Sequence, residues 1–284
     1  METGLGAREA ARDAAEGLEG AGVPEALASA EVLLSELLGI RRGEIPLHTT
    51  PLTEAQAARY GEWISRRMSR EPVQRILGYA FFRNLRLELD SSTLIPRPDT
   101  ETVVDAALER LDDRGGECLV LDVGTGSGAI AISIAQERPL TRVYATDISE
   151  GALRLARENA RQNGASVGFH LTDLFPEAGL LDAPVDLLVS NPPYIPSSDL
   201  DDLAPEVRNW DARAALDGGP DGLLFYRRIF EEARPLLAKD ADVVLEVGDG
   251  QAESVLDIGR EAGYAPTGVR DDLAGTPRAV LLRR

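Results

Sequence analysis

Leu119-Val120-Leu121-Asp122-Val123-Gly124-Thr125-Gly126-Ser127-Gly128 is an apolar strand pattern that runs into a glycine-rich loop, and Ala129–Gln136 continues it with a helical pattern. Glycines let the backbone turn sharply and approach a ligand, and the N-terminus of the following helix offers free N–H groups. This order of strand, loop and helix is typical of ligand-binding α/β proteins. The segment therefore predicts both the fold class and a binding loop.

The alternation of strands and helices continues downstream of this loop. Further strands are predicted at Arg142–Thr146, Val167–Leu171, Val185–Ser190 and Asp242–Val247, with helices at Ala152–Asn163 and Leu223–Leu237. Apolar strands separated by helices indicate a mostly parallel sheet covered on both faces. Tyr264–Val269 and Arg278–Leu282 have no helix-sized segment between them, which predicts an antiparallel pair. We predict a Rossmann-like, doubly wound α/β sheet with one antiparallel strand.

The N-terminal part of the chain has a different pattern, dominated by helices. Ala7–Leu18 and Glu25–Leu38 have helical composition and spacing, and Thr53 with Gln56 fits a capping box that opens a third helix. Ala80–Leu89 changes to the alternation of a short hairpin. We predict a helical domain at 1–78 that recognises the partner, a hairpin linker at 79–91 and a catalytic domain at 92–284.

Composition excludes several classes of protein. The 284 residues include 30 basic and 48 acidic side chains, a net charge of −18 that disfavours nucleic acid and anionic membranes as partners. A single cysteine, Cys118, excludes an internal disulfide, and with only two histidines a Cys/His zinc site is not expected. We see neither a secretion signal nor a run long enough to span a membrane, so we expect a cytoplasmic protein without a bound metal.

Asp147 is the predicted acidic partner of the glycine loop, because it follows the next strand, 23 residues after Gly124. A carboxylate at that position can accept hydrogen bonds from the ribose hydroxyls of an adenosine moiety. The same residues also fit a plain turn with a helix-capping aspartate. Gly124-x-Gly126-x-x-Ala129 satisfies the dinucleotide fingerprint as well, so the loop alone leaves the cofactor open.

Ser190-Asn191-Pro192-Pro193-Tyr194 follows the fourth parallel strand, at the sheet edge where open α/β proteins bind ligands. The prolines remove two N–H donors, so carbonyl acceptors dominate this turn, and Tyr194 adds an aromatic face. The side-chain oxygen of Asn191 and the carbonyl of Pro192 suit the two hydrogens of a planar NH2 group. The alternative is a proline-stiffened turn in which Tyr194 only packs. We predict Asn191, Pro192 and Tyr194 as catalytic, and residues 191–194 as substrate-binding.

The combination resembles known families. The glycine loop is similar to that of class I S-adenosylmethionine-dependent methyltransferases, and the resemblance places Gly124, Thr125, Gly126, Ser127, Gly128 and Asp147 at the cofactor. It implies that Asp173 holds the adenine amino group, that Leu174 packs on the adenine ring, and that Asn191 also touches the methionine end. The alternative for Asp173 is a turn residue before Pro176.

Further motifs make the whole chain resemble the release factor glutamine methyltransferase family. They are Leu94-Ile95-Pro96-Arg97-Pro98-Asp99-Thr100-Glu101, Ala214-Ala215-Leu216-Asp217-Gly218-Gly219, Gly222-Leu223, Tyr226-Arg227, Leu245-Glu246-Val247-Gly248 with Gln251, and Asp271-Asp272-Leu273-Ala274-Gly275 before Arg278. The resemblance implies methyl transfer from S-adenosylmethionine to N5 of the glutamine in the Gly-Gly-Gln motif of peptide chain release factors. Two stretches depart from the family pattern, namely Asn209–Arg213 and Thr276.

Other functions remain open at this level. A nucleic-acid amino methyltransferase acting on adenine or guanine has the same Asn-Pro-Pro-Tyr motif, but the acidic charge disfavours it. A NAD(P)-dependent oxidoreductase, or a cofactor-binding protein without activity, leaves that motif unexplained. We expect a monomer that binds no nucleic acid directly and no membrane. Basic residues exceed acidic ones by eight to four between 59 and 97, which fits either internal ion pairs or a docking surface.

Overall fold

The computed structural model describes residues 6–177 and 179–284 of the chain. These residues form two compact units. The first contains the N-terminal residues up to Gly78 together with the short segment Ala204–Trp210, and the second contains Tyr79–Leu203 and Asp211–Arg284. The hairpin therefore groups with the second unit, and a seven-residue piece of the downstream chain groups with the first.

The first unit is helical. Its helices are α1 (Ala7–Gly20), α2 (Ala26–Leu38), α3 (Glu54–Met68), α4 (Val73–Leu77) and α8 (Pro205–Arg208). The predicted capping box is present at the start of α3, where the Thr53 hydroxyl accepts from Gln56 N at 3.3 Å and Gln56 Oε1 accepts from Thr53 N at 2.9 Å.

A carboxylate of α8 neutralises two arginines within this unit. Glu206 accepts from Arg70 Nε and Nη2, each at 2.7 Å, and from Arg67 Nη2 at 3.0 Å. Burial of the Glu206 carboxylate alone raises its pKa, but the hydrogen bonds from Arg70 and Arg67 outweigh burial and lower the pKa to about 2. Glu206 thus keeps its charge beside Arg67, which is buried.

The second unit contains a two-stranded hairpin and a seven-stranded sheet. The hairpin pairs β1 (Tyr79–Phe82) with β2 (Leu85–Glu88). The strands of the sheet are β3 (Leu119–Val123), β4 (Arg142–Asp147), β5 (Val167–Leu171), β6 (Val185–Ser190), β7 (Leu237–Glu246), β8 (Ala265–Asp271) and β9 (Pro277–Arg283). Their order is β5-β4-β3-β6-β7-β9-β8. β9 is antiparallel to both of its neighbours, β7 and β8, and the other pairs are parallel, which confirms the predicted fold class.

Helices cover the sheet on both faces. They are α5 (Glu101–Arg114), α6 (Ala129–Glu137), α7 (Glu150–Gln162), α9 (Leu224–Glu232) and α10 (Ala252–Glu261). Successive residues of β3 point to opposite faces, so Val120 lies in the core formed with α5 and α6, while Leu119 and Leu121 lie in the core formed with α9 and α10.

One predicted element is wrong at its end. The sequence predicts a helix through Leu237, but α9 ends at Glu232 and β7 already begins at Leu237. Leu237 pairs with Val185 of β6, and Val185 N donates to Leu236 O at 2.9 Å. Sheet pairing satisfies these backbone groups, and this long-range partner is invisible in local helix propensity.

Candidate active site

The site lies where the strand order reverses. The chain proceeds from β3 outward to β4 and β5, and then returns to place β6 on the other side of β3. Val123 is paired with Thr146 on one side and with Ser190 on the other. The loops after β3, β4 and β6 therefore start side by side, at the switch point where α/β sheets bind ligands.

The glycine loop is tied to the end of β4. Gly124 N and Thr125 N each donate to Thr146 O at 2.9 Å. Gly124, Gly126 and Gly128 have φ values of +73°, +56° and +87°, in the left-handed region that favours glycine. A Cβ on Gly128 would lie 2.8 Å from Ile132 Cδ1 and 3.3 Å from Ala156 Cβ, so it would crowd both side chains.

Asp147, the last residue of β4, fixes the loop through its carboxylate. Its Oδ2 accepts from Gly126 N at 2.9 Å, and its Oδ1 accepts from Ser149 N at 2.8 Å. Each carboxylate oxygen has a further lone pair available. The predicted ribose-binding residue is thus held rigidly beside the loop.

Asp122 is a further acidic residue of this region that sequence analysis did not select. It lies in β3 with no exposed surface, and its Oδ2 accepts from Thr125 Oγ1 at 2.6 Å and from Ala131 N at 3.2 Å. Its Oδ1 is buried without a hydrogen-bond partner among the described residues. Burial raises the pKa of Asp122 to about 7, against these hydrogen bonds. A charged residue inside an apolar strand was the available sequence signal.

Asp173 and Leu174 follow β5. The Asp173 carboxylate accepts from both Arg228 Nη atoms at 3.1 Å and is half exposed. Leu174 has φ of +63°, and its carbonyl accepts from Thr146 Oγ1 at 2.7 Å. The turn therefore lies beside the end of β4, and the adenine contacts of both residues stay predictions.

The Asn-Pro-Pro-Tyr turn leaves β6 next to the glycine loop. Ser190 Oγ donates to Val123 O at 2.6 Å, which ties the ends of the two strands together. The side-chain nitrogen of Asn191 donates to Thr100 Oγ1 at 3.3 Å. Asn191 is partly exposed, whereas Thr100 is buried. The structure thus brings the predicted cofactor loop and the predicted methyl-acceptor residues to one place.

Two glycines and one glutamine surround the backbone of Tyr194. Gln251 Nε2 donates to Tyr194 O at 2.9 Å, while Gln251 Oε1 accepts from Gly248 N at 3.0 Å. A Cβ on Gly218 would lie 2.7 Å from Tyr194 Cα, and one on Gly222 would lie 2.4 Å from Tyr194 O. These positions were quoted only as family motifs, and the structure shows that they position the turn.

A buried carboxyl lies behind the turn. The Tyr194 hydroxyl donates to Glu246 Oε1 at 3.5 Å, and Glu246 Oε2 is buried without a hydrogen-bond partner among the described residues. Burial raises the pKa of Glu246 to about 7, although Thr100 and Arg278 oppose the shift. Burial and the neighbouring Glu246 also raise the pKa of Tyr194 to about 12. Tyr194 therefore keeps its proton at neutral pH.

Most of the basic residues between 59 and 97 have carboxylate partners. Within the helical unit, Arg66 pairs with Glu71, and Arg67 and Arg70 share Glu206. Within the second unit, Arg83 pairs with Asp105 and Glu137, Arg86 with Glu88, and Arg97 with Asp211. The local excess of positive charge is largely neutralised by these ion pairs.

Arg97 links the active-site region to the stretch that departs from the family pattern. Its Nη2 donates to Asp211 Oδ2 at 2.9 Å, and the Asp211 side chain is fully buried. The stretch Asn209–Arg213 thus supplies the carboxylate that holds Arg97.

Two classes of site find no support in the part of the chain that the structure describes. No group of three or more His, Cys, Asp or Glu side chains there has an arrangement that could hold a metal ion. Among residues 6–177 and 179–284, no helix combines the length and apolar character needed to cross a bilayer.

Comparison with known proteins identifies the family. Residues 9–78 match the PrmC N-terminal domain and residues 102–221 match the methyltransferase small domain. The release factor glutamine methyltransferase of Rhodospirillum rubrum is 41% identical over 271 residues, covering 94% of this chain and 82% of that protein. The one from Geobacter sulfurreducens is 42% identical over 260 residues, covering 91% and 90%.

A solved structure shows the same fold at low sequence identity. The crystal structure of a methyltransferase from Pyrococcus furiosus has a TM-score of 0.53 and 19% identity, covering 81% of this chain and 98% of that one. Together with the matches over nearly full length, the glycine loop and the Asn-Pro-Pro-Tyr turn establish that this chain is a methyltransferase and belongs to the release factor glutamine methyltransferase family.

Proposed function

We propose that the protein transfers a methyl group from S-adenosylmethionine to N5 of the glutamine in the Gly-Gly-Gln motif of peptide chain release factors. The observation that carries this proposal is the position of Asn191 next to the glycine loop, since Val123 and Ser190 are paired neighbours. The names of its relatives support the substrate class. The proposal places the reaction in the cytoplasm.

The described residues fit this cofactor. A Cβ built on Gly124 or Gly126 would meet no atom within 4 Å, so the loop leaves room for close approach of a ligand. Asp147 has lone pairs for ribose hydroxyls. Bound there, S-adenosylmethionine supplies an electrophilic methyl group on a positively charged sulfur.

The acceptor residues suit a carboxamide. Its NH2 group has two hydrogens in one plane, and the side-chain oxygen of Asn191 and the carbonyl of Pro192 can accept one each. Tyr194 offers its ring face to the planar amide, and Pro193 adds no competing N–H donor. A glutamine side chain held in this way has its nitrogen positioned for attack.

The same oxygens stabilise the reaction as it proceeds. Amide nitrogen is a weak nucleophile, because its lone pair is delocalised into the carbonyl. As the N–C bond formed and the sulfur–methyl bond broke, positive charge would pass from sulfur to nitrogen, the two accepted hydrogen bonds would strengthen, and one N–H proton would leave to solvent. Acceptors already in place stabilise this charge without reorganisation, so no strong base is needed at the start.

We further propose that the helical unit recognises the release factor. A free amino acid would not require an additional domain, whereas docking of a whole protein lets remote binding energy position the amide. On this basis the substrate is a folded protein with an exposed glutamine, and the enzyme acts as a monomer.

Mass spectrometry of a release factor after incubation with the enzyme and labelled S-adenosylmethionine tests the proposal. We expect one added methyl group on the Gly-Gly-Gln glutamine and none on a release factor in which that glutamine is alanine. Transfer to a short Gly-Gly-Gln peptide is expected to be slower. Duplex DNA serves as the competing substrate, and fastest transfer to DNA with the protein inert would overturn the assignment.

A further inference from the structure

Gln251 lies directly before α10 and reaches the acceptor turn, which is formed by residues 191–194. Its Nε2 donates to Tyr194 O at 2.9 Å. Its Oε1 accepts from Gly248 N at 3.0 Å, and its backbone N donates to Gly248 O at 3.1 Å. Gly248 therefore holds both the backbone and the side-chain oxygen of Gln251, and the side-chain nitrogen binds the turn.

Both partners of the Gln251 amide are backbone groups with fixed chemistry. The Gly248 N–H can only donate a hydrogen bond, and the Tyr194 carbonyl can only accept one. The amide therefore fits in one orientation, with its oxygen toward Gly248 and its NH2 toward Tyr194. A side chain of the same shape that lacks the NH2 group cannot make both hydrogen bonds.

Two glycines leave the space in which this amide lies. A Cβ on Gly222 would lie 2.4 Å from Tyr194 O and 2.8 Å from Gln251 Nε2, the two atoms that the hydrogen bond joins. A Cβ on Gly248 would lie 2.8 Å from Gln251 Oε1 and 3.0 Å from Tyr194 Cδ2. The absence of a side chain at both positions is thus what lets one glutamine reach the turn.

The two ends of the turn are held by backbone pairing. Before the turn, Ser190 is paired with Val123 in the sheet. After the turn, Ile195 N donates to Leu216 O at 3.0 Å. The two prolines between these ends have no N–H with which to join such pairing. Between the held ends, the side chain of Gln251 binds the backbone of the turn.

We infer that Gln251 is a positioning residue for methyl transfer, because its grip on the Tyr194 carbonyl sets where the Tyr194 ring and the Pro192 carbonyl meet the substrate amide. This inference rests on the proposed function, since it assigns a use to the turn. Gln251 acts on the rate through Tyr194. Displacing such a group by about 1 Å typically costs about 10²-fold in rate.

The first test compares Gln251→Glu with Gln251→Ala in the full-length enzyme. Glutamate keeps the size of glutamine, but its carboxylate only accepts and would point an oxygen at the Tyr194 carbonyl. Single-turnover transfer to a release factor should therefore fall by about 10²-fold in Gln251→Glu. Alanine removes the hydrogen bond without adding charge, so the rate should fall by only about tenfold, the equivalent of one lost hydrogen bond.

The order of the two variants separates positioning from packing. If Gln251 only filled space, Gln251→Ala would leave a cavity and would be the slower variant, and Gln251→Glu would be near normal. That order, or near-normal rates in both variants, would overturn the inference. Gln136→Glu is the matched control, because the Gln136 side chain also donates to a backbone carbonyl, that of Asn163, and its replacement should leave the rate unchanged.

The second test separates the methyl-transfer step from binding. In both Gln251 variants, the single-turnover rate at saturating release factor should fall, while the release factor concentration that gives half of this rate should change little. Calorimetric affinity for S-adenosylmethionine should be that of the original enzyme. A loss of cofactor affinity as large as the loss of rate contradicts the inference. Failure of the proposed function is distinct, because the original enzyme would then methylate no release factor.

Discussion

The two halves of the active site use oxygen atoms in different ways. On the cofactor side, at the end of β4, the oxygens are those of the Asp147 carboxylate, which accepts from Gly126 N at 2.9 Å. On the acceptor side, after β6, the proposed oxygens are those of the Asn191 amide and the Pro192 carbonyl. Among the described residues, the only carboxyl hydrogen-bonded to residues 191–194 is that of Glu246, which accepts from the Tyr194 hydroxyl at 3.5 Å.

The difference follows from the charge of what each half is proposed to hold. A cationic cofactor is favoured by negative charge close to it. A neutral amide needs two acceptors aimed at its hydrogens, and stabilisation of its growing positive charge depends on fixed dipoles. The cofactor half should therefore respond to changes of charge, and the acceptor half to changes of geometry.

Asn191→Ala is expected to have the largest effect. It removes one of the two proposed acceptors and should slow single-turnover methyl transfer by about 10²–10³-fold. Affinity for S-adenosylmethionine should change much less, although Asn191 is also predicted to touch the cofactor. Asn84→Ala, an exposed asparagine in the turn between β1 and β2, is the control. Near-normal methyl transfer by a folded Asn191→Ala enzyme would show that the turn has only a structural role.

Gly222→Ala should have the next largest effect, because it changes geometry without changing charge. The new Cβ would lie 2.4 Å from Tyr194 O, and φ is +73°. Displacing the turn by about 1 Å typically costs about 10²-fold in rate. Gly250→Ala is the matched control, since Gly250 has φ of +74° but no atom within 4 Å of a Cβ. An equal loss of methyl-transfer rate in both variants would mean that backbone strain, and not the position of Tyr194, causes the loss.

Asp147→Ala tests the cofactor half. Loss of hydrogen bonds to a charged group costs about 1.5–3 kcal/mol, so the Kd for S-adenosylmethionine should rise at least about tenfold. Asp113→Ala, a mostly exposed aspartate near the end of α5, controls for the change in net charge. Calorimetry that shows unchanged affinity in folded Asp147→Ala protein removes this residue from the cofactor site.

Asp173→Ala is expected to have the smallest effect. Its carboxylate is half exposed and already paired with Arg228, so an adenine contact there would be weakened by water. We expect the Kd for the cofactor to rise by less than about tenfold, within the range of a single exposed hydrogen bond. Arg228→Gln frees the carboxylate and should leave the Kd the same or lower. A larger loss of cofactor affinity in Arg228→Gln than in Asp173→Ala would show that the ion pair supports the site only structurally.

Local patterns predicted the elements with strong periodicity. β5 and β6 have the predicted bounds, and the capping box at Thr53 is present, because alternation and caps depend on neighbouring residues. The predicted end of this helix, Leu237, was wrong, because Leu237 is paired with Val185 across the sheet. Such pairing joins residues that no local window contains.

The sequence by itself determined the fold class, the glycine loop and the acceptor turn, since each depends on residue types at short spacing. Only the tertiary structure decided what lies around them. Gln251 is 57 residues from Tyr194 in the chain, and Thr100 is 91 residues from Asn191, yet both pairs are hydrogen-bonded. Glu246 was quoted in the sequence only as part of a family motif, and its burial in the folded chain is what raises its pKa to about 7. Hydrogen-bond partners and desolvation depend on the packing of distant segments, so they appear only when the chain is folded.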